Sequence, residues 1–71
     1  MNGVSPEKQA ESALHNLPYP ALHLISCQHK DGVLRLIGNV PSFYMKQVAQ
    51  ETAAKIPGVQ RVHNELVVEE S

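Results

Sequence analysis

A chain of 71 residues is long enough for one domain and no more. With 6 Lys plus Arg against 7 Asp plus Glu it is close to neutral, which argues against nucleic-acid binding by phosphate neutralisation and against strong electrostatic attraction to an anionic membrane. The lone Cys27 excludes an intramolecular disulfide, and no apolar run approaches the roughly 20 residues that span a bilayer.

Met1 to Val4 reads as a loose terminus, and the polar stretch from Met1 to Glu11 lacks the basic-then-apolar pattern of a signal peptide, so a cytoplasmic location is expected. Ser5-Pro6 is a helix start: Ser5 caps free N–H groups and Pro6 suits the first helical position. Ala10, Ala13, Leu14 and Leu17 follow at helical spacing until Pro18, which predicts a helix over Pro6 to Leu17. After a Pro18-Tyr19-Pro20 connector, Leu22 to Lys30 reads as a strand. Asp31-Gly32 then signals a type I′ hairpin turn, because that turn requires positive φ at both central positions.

Val33 to Val40 is the expected returning strand. Leu34, Leu36, Gly38 and Val40 share one face; Arg35, Ile37 and Asn39 share the other. In the first strand the same alternation separates Ile25, Cys27 and His29 from Leu24, Ser26, Gln28 and Lys30. Pro41-Ser42 opens a second helix, with Ser42 as its cap and Met45, Val48, Ala49, Thr52, Ala53 and Ile56 as its apolar stripe. Pro57-Gly58 ends it. Val59 to Val68 is the last strand, with Val62, Asn64, Leu66 and Val68 opposite in parity to Arg61, His63, Glu65 and Val67. Strands joined through a helix run parallel with a right-handed crossover. The expectation is a single α+β domain over residues 5–69 in which both helices cover one sheet face and the other face stays open.

The run Asp31-Gly32-Val33-Leu34-Arg35-Leu36-Ile37-Gly38-Asn39-Val40, the helix carrying Ala49, and Pro57-Gly58-Val59-Gln60-Arg61-Val62-His63-Asn64 together resemble the BON domain family. The resemblance covers Ser5 to Glu69. It implies an αββαβ fold with a mixed three-stranded sheet and two helices on one face. It also implies a bacterial, non-catalytic module that binds phospholipid or other ligands. Many relatives are periplasmic or envelope proteins with several copies of the domain; this sequence shows one copy and no signal peptide.

No catalytic, cofactor or metal site is expected. No Gly-rich phosphate loop is present. His15, His23, His29 and His63 are too scattered to close a metal cluster, and Cys27, the best partner for His29, has core parity, where cysteine acts as a small hydrophobe. The single cysteine also excludes the Cys-x-x-Cys pair of heavy-metal-associated domains, and the Gly-x-x-Gly clamp of KH-type RNA modules is missing. Glu51 and Glu65 read as lone carboxylates. Asn64 has core parity and reads as a side chain that ties the strand to a helix or loop.

The candidate interaction surface has two parts. The open face would present Leu24, Arg35, Ile37, Arg61, His63 and Val67. Phe43 and Tyr44 stand at the start of the second helix, where free N–H groups suit a phosphate; Phe43 reads either as an exposed contact or as packing over the Pro18-Tyr19-Pro20 connector. The expected partner is a lipid or small ligand, or alternatively another protein or a second copy docking on the open face. No nucleic-acid partner is expected.

Overall fold

The computed structural model describes residues 5–69; the loose terminus expected for Met1 to Val4 lies outside them. α1 spans Pro6–His15, and Ser5 Oγ accepts from Lys8 N at 3.3 Å. The helix stops short of the expected Leu17: Asn16 caps it, and Leu17 N reaches back to Leu14 O at 3.2 Å in a tightened last turn before Pro18.

The next segment departs from expectation. Pro20–Leu24 forms a 3₁₀ turn, and the first strand, β1, covers only Ser26–Lys30. Pro20 at the first position presets helical φ, and Leu22 N donates to Tyr19 O at 2.9 Å. The turn drives Leu22 into the core, where it is fully buried. Asp31 and Gly32 then make the expected hairpin, with φ of 54° and 80°, and β2 runs over Val33–Ile37.

The two remaining long strands each break in two. β2 is followed by β3, Asn39–Val40; β4, Arg61–Asn64, is followed by β5, Val67–Val68. The break falls at Gly38, whose φ is 146°, and opposite it at Glu65 and Leu66. A Cβ at Gly38 would stand 3.5 Å from Ile25 Cα, an ordinary contact, so it is the positive φ rather than a lack of space that calls for glycine here. Register survives the break: Val33 lies opposite Arg61, and Asn39 opposite Val67, with the same offset. Glu65 N to Leu36 O and Val67 N to Gly38 O, both 2.9 Å, carry the parallel ladder across it.

α2, Phe43–Ala54, links the parallel strands, and Ser42 Oγ accepts from Met45 N at 3.2 Å as the expected cap. The main sheet runs β1-β2-β4, with β1 antiparallel and β4 parallel to β2. α1 packs on β1, α2 packs on β4, and the helices touch each other. Between helices and sheet lie Ala10, Leu14, Leu22, Ile25, Cys27, Leu34, Leu36, Val40, Ala49, Ala53 and Leu66, all buried and none aromatic. The strand parities read from the sequence are those observed. Both helices therefore lie on one face of a three-stranded mixed sheet, and the other face is open.

Candidate functional site

The open face is organised in rows across three strands. At the hairpin end, Lys30 and Arg61 flank Val33. In the middle, Gln28, Arg35 and His63 stand side by side. Arg35 donates to Gln28 Oε1 at 3.2 Å and forms a bidentate pair with Glu65, Nε to Oε2 at 2.9 Å and Nη2 to Oε1 at 3.0 Å. His63 Nδ1 is 3.5 Å from Glu65 Oε2. The hydrogen bond from Arg35 holds the Glu65 carboxyl below the usual carboxylate range, and the guanidinium is raised in return. Glu65 is thus not the lone carboxylate expected of it. The far end mixes polar and apolar groups: exposed Ser26 lies opposite half-buried Ile37 and exposed Asn39 opposite Val67, which is 53% exposed, while Leu24, 83% exposed, lies on the 3₁₀ turn outside the strand.

The second surface is an aromatic corner. Tyr19, on the connector, and Tyr44, on the first turn of α2, meet edge to face with centroids 6.2 Å apart and hydroxyls 3.4 Å apart. Of the two readings of Phe43, packing over the connector is the one the structure gives to its neighbour. The residue over the connector is Tyr44, because one helical step of about 100° turns its neighbour away; Phe43 is 68% exposed and Tyr44 61%. The shared hydrogen bond pushes the Tyr19 hydroxyl upward.

Phe43 also begins a shallow groove of about 440 Å³ along α2, lined further by Lys46, Gln47, Gln50 and Glu51. Asn64 bolts this helix face to β4, as its parity foretold. Its Nδ2 donates to Lys46 O and Gln50 Oε1, both at 3.1 Å, and its Oδ1 accepts from Leu66 N at 3.1 Å. Gln47 donates to Glu51 at 3.2 Å.

Neither the cysteine nor the histidines converge on a reactive centre. Cys27 is buried, and desolvation first, then the Glu11 and Glu7 charges, pushes its thiol up to about 11. His29 Nε2 lies 3.4 Å from Gly58 O, and His23 Nε2 lies 3.0 Å from Leu17 O with its ring against His15. Among the described residues no three His, Cys, Asp or Glu side chains are grouped to hold a metal. No helix among them is long and apolar enough to cross a membrane.

The family model of the BON domain matches residues 7–70. The chain belongs to the BON domain family. A BON domain is a small, binding-type module of a non-catalytic family. No curated protein matches the chain. Of the candidate surface residues, Arg35 and His63 stand at the centre of the open face, Arg61 at its hairpin end and Ile37 and Val67 at the other; Leu24, expected on that face, lies instead on the 3₁₀ turn, and Phe43 and Tyr44 begin α2. Sequence reasoning gave Gln28 and Lys30 the parity of the open face but left them out of the candidate surface, although the Asp31-Gly32 turn alone sets them opposite Arg35 and Val33. It also missed Lys46 and Gln50, whose place beside Asn64 depends on how α2 crosses the sheet.

Proposed function

We propose that this BON domain is a non-catalytic module that associates with phospholipid surfaces through the corner formed by Tyr19, Phe43 and Tyr44. One observation supports this above others: Phe43 and Tyr44, on the first turn of α2, are both largely exposed, and Tyr44 is set edge to face against the half-buried Tyr19. Rings with an apolar body and a polar tip suit the boundary between headgroup and acyl chain. The first turn of α2 has no acidic residue, and as its first two positions Phe43 and Tyr44 have N–H groups with no acceptor inside the helix. With a net charge of −1, affinity would come from ring insertion more than from charge, so it should weaken only modestly with salt.

Flotation with phosphatidylcholine vesicles, with and without phosphatidylglycerol, tests this. The wild type should rise with both kinds of vesicle, and Phe43→Ala with Tyr44→Ala should remain at the bottom. A wild-type chain that ignores both vesicles at low salt sinks the lipid function.

A second function, docking of a protein or of a second copy on the open face, is favoured by Ile37 and Val67 beside a prebuilt Gln28–Arg35–Glu65–His63 network. Sedimentation velocity across a wide concentration range examines the homotypic case. Self-association abolished by Ile37→Lys with Val67→Lys supports it; a monomer at every concentration counts against it.

A further inference from the structure

The two edges of the main sheet differ. Along β1, Cys27 N donates to Glu11 Oε2 at 3.4 Å, and α1 packs on the strand. Along β4, Arg61 N and Glu65 N donate inward to Gly32 O and Leu36 O. The alternation of a parallel ladder then turns the N–H and C=O groups of Val62 and Asn64 outward. Among the described residues no hydrogen bond engages these four groups. The next outward N–H, that of Leu66, is taken by Asn64 Oδ1. The unpaired stretch is therefore short and centred on His63.

On the open face of the same stretch the side chains run Arg61, His63, Glu65: cation, imidazole, carboxylate, evenly spaced about His63. Among the described residues the Arg61 guanidinium has no acceptor. Glu65 already holds Arg35, but its Oε1 accepts a single bond, so a carboxylate with about four lone-pair sites has room for a second cation. The strand that complements this order, read in the opposite direction, is the same strand. Laid antiparallel with His63 opposite His63, two copies of β4 set Arg61 opposite Glu65 at both ends. That register also sets Val62 opposite Asn64, both with outward backbone groups, so each such pair exchanges two hydrogen bonds and the charged pairs take the closely spaced positions between them. The neighbouring registers fail. Centring on Val62 sets Asn64 opposite Gln60, whose N–H is taken by Gly32 O at 2.7 Å. Centring on Asn64 sets Val62 opposite Leu66, whose N–H is taken by Asn64 Oδ1. Neither brings Arg61 to Glu65. The backbone groups and the charges therefore select one register independently, and in it the edge meets itself.

We infer that β4 pairs with β4 of a second copy of this chain, antiparallel about a two-fold axis at His63, so that two three-stranded sheets join into one with all helices on the same face. The contact is isologous and closes on itself, because α1 stands against the other edge, β1. Its few bonds make a weak dimer that dissociates on dilution. This interface lies at the sheet edge; it depends on neither lipid association nor docking on the open face.

The test joins sedimentation velocity on the full chain, up to about 1 mM, with amide exchange by NMR over the same range. The chain should pass from monomer to dimer with no larger species. Val62 and Asn64 amides should exchange fast when dilute and gain about tenfold or more protection when concentrated, while those of Arg61 and Glu65 stay protected throughout. Arg61→Glu and Glu65→Lys should each weaken the dimer about tenfold or more, since both ends then oppose like charges. An equimolar mixture of the two variants should associate as the wild type does, because every opposed pair is again of opposite sign. Should either charge variant not fold, Val62→Pro, which removes one outward donor and none of the ladder's, should weaken the dimer to a similar extent with an unchanged circular dichroism spectrum. Ile37→Lys with Val67→Lys should leave the edge dimer intact. A monomer at every concentration overturns the proposal, as does a dimer in which Val62 and Asn64 amides stay unprotected. Folded charge variants that fail to recover on mixing overturn it, and so does a dimer lost on Ile37→Lys with Val67→Lys, which assigns the contact to the open face.

Discussion

The two faces of the β1-β2-β4 sheet are written in the same strands, one residue out of phase, yet they are built on different physics. The covered face presents Cys27, Leu34 and Leu36 to the helices, and its contribution comes from apolar area removed from water and from close packing. The open face presents Gln28, Arg35 and His63 at the same level, and its order comes from charge-assisted hydrogen bonds in solvent. The difference teaches where the molecule can change cheaply. The covered face carries stability and tolerates little; the open face is solvated and tolerates much.

The most direct way to break the contrast is a cavity. Leu34→Ala or Leu36→Ala, at fully buried positions, should cost about 2–5 kcal/mol in equilibrium denaturation. In a domain this small that is a large part of the total. Equal effects from Arg35→Ala would erase the distinction between the faces.

Asn64 is the polar exception on the covered side. Asn64→Ala leaves Leu66 N without its acceptor and removes the link from β4 to Lys46 and Gln50. A loss of about 1–3 kcal/mol is expected, read from the urea midpoint at unchanged m-value.

Cys27 sharpens the comparison through pH. Its thiol is raised in the folded chain to about 11 from 9.0. Between those values the unfolded chain has already released a proton that the folded chain still holds, so stability falls as pH rises through that window. Cys27→Ala should flatten the alkaline limb of a stability–pH curve, and labelling of the wild-type thiol near pH 7 should be slow until the chain opens.

The smallest effect belongs to the Arg35–Glu65 pair. Glu65 is held below its ordinary value, so the stability it adds is present above the unfolded carboxylate range and disappears as pH falls through the folded value. Its exposure keeps the contribution minor. Glu65→Gln should abolish that acid-side slope and change the midpoint at neutral pH less than Asn64→Ala does, as thermal melts at pH 3 to 7 would show.

Much of this architecture was legible in the sequence because its signals are local. Ser5 and Ser42 before helical stripes, Asp31-Gly32 between strands, and alternation from Val33 onward each constrain a few adjacent residues. The 3₁₀ turn was not legible, since Leu22 and Leu24 alternate as a strand would, and only the pull of Leu22 into the core reveals the turn. The exchange of roles between Phe43 and Tyr44 hinges on the angle at which α2 meets the connector. The pairing of Arg35 with Glu65 needs the register of two strands far apart in sequence, for which no local residue speaks.

That register also dictates an order of assembly. The hairpin can close as soon as Lys30 meets Val33 across two residues, whereas Val33 must wait for Arg61, twenty-eight positions later. Loop closure makes the second event the slower one. On a ribosome, β2 therefore emerges with one edge paired and the other exposed, and stays so until the last strand is synthesised. The chain's C-terminal segment, more than its helices, sets the moment at which this domain becomes resistant to proteolysis and safe from misassociation.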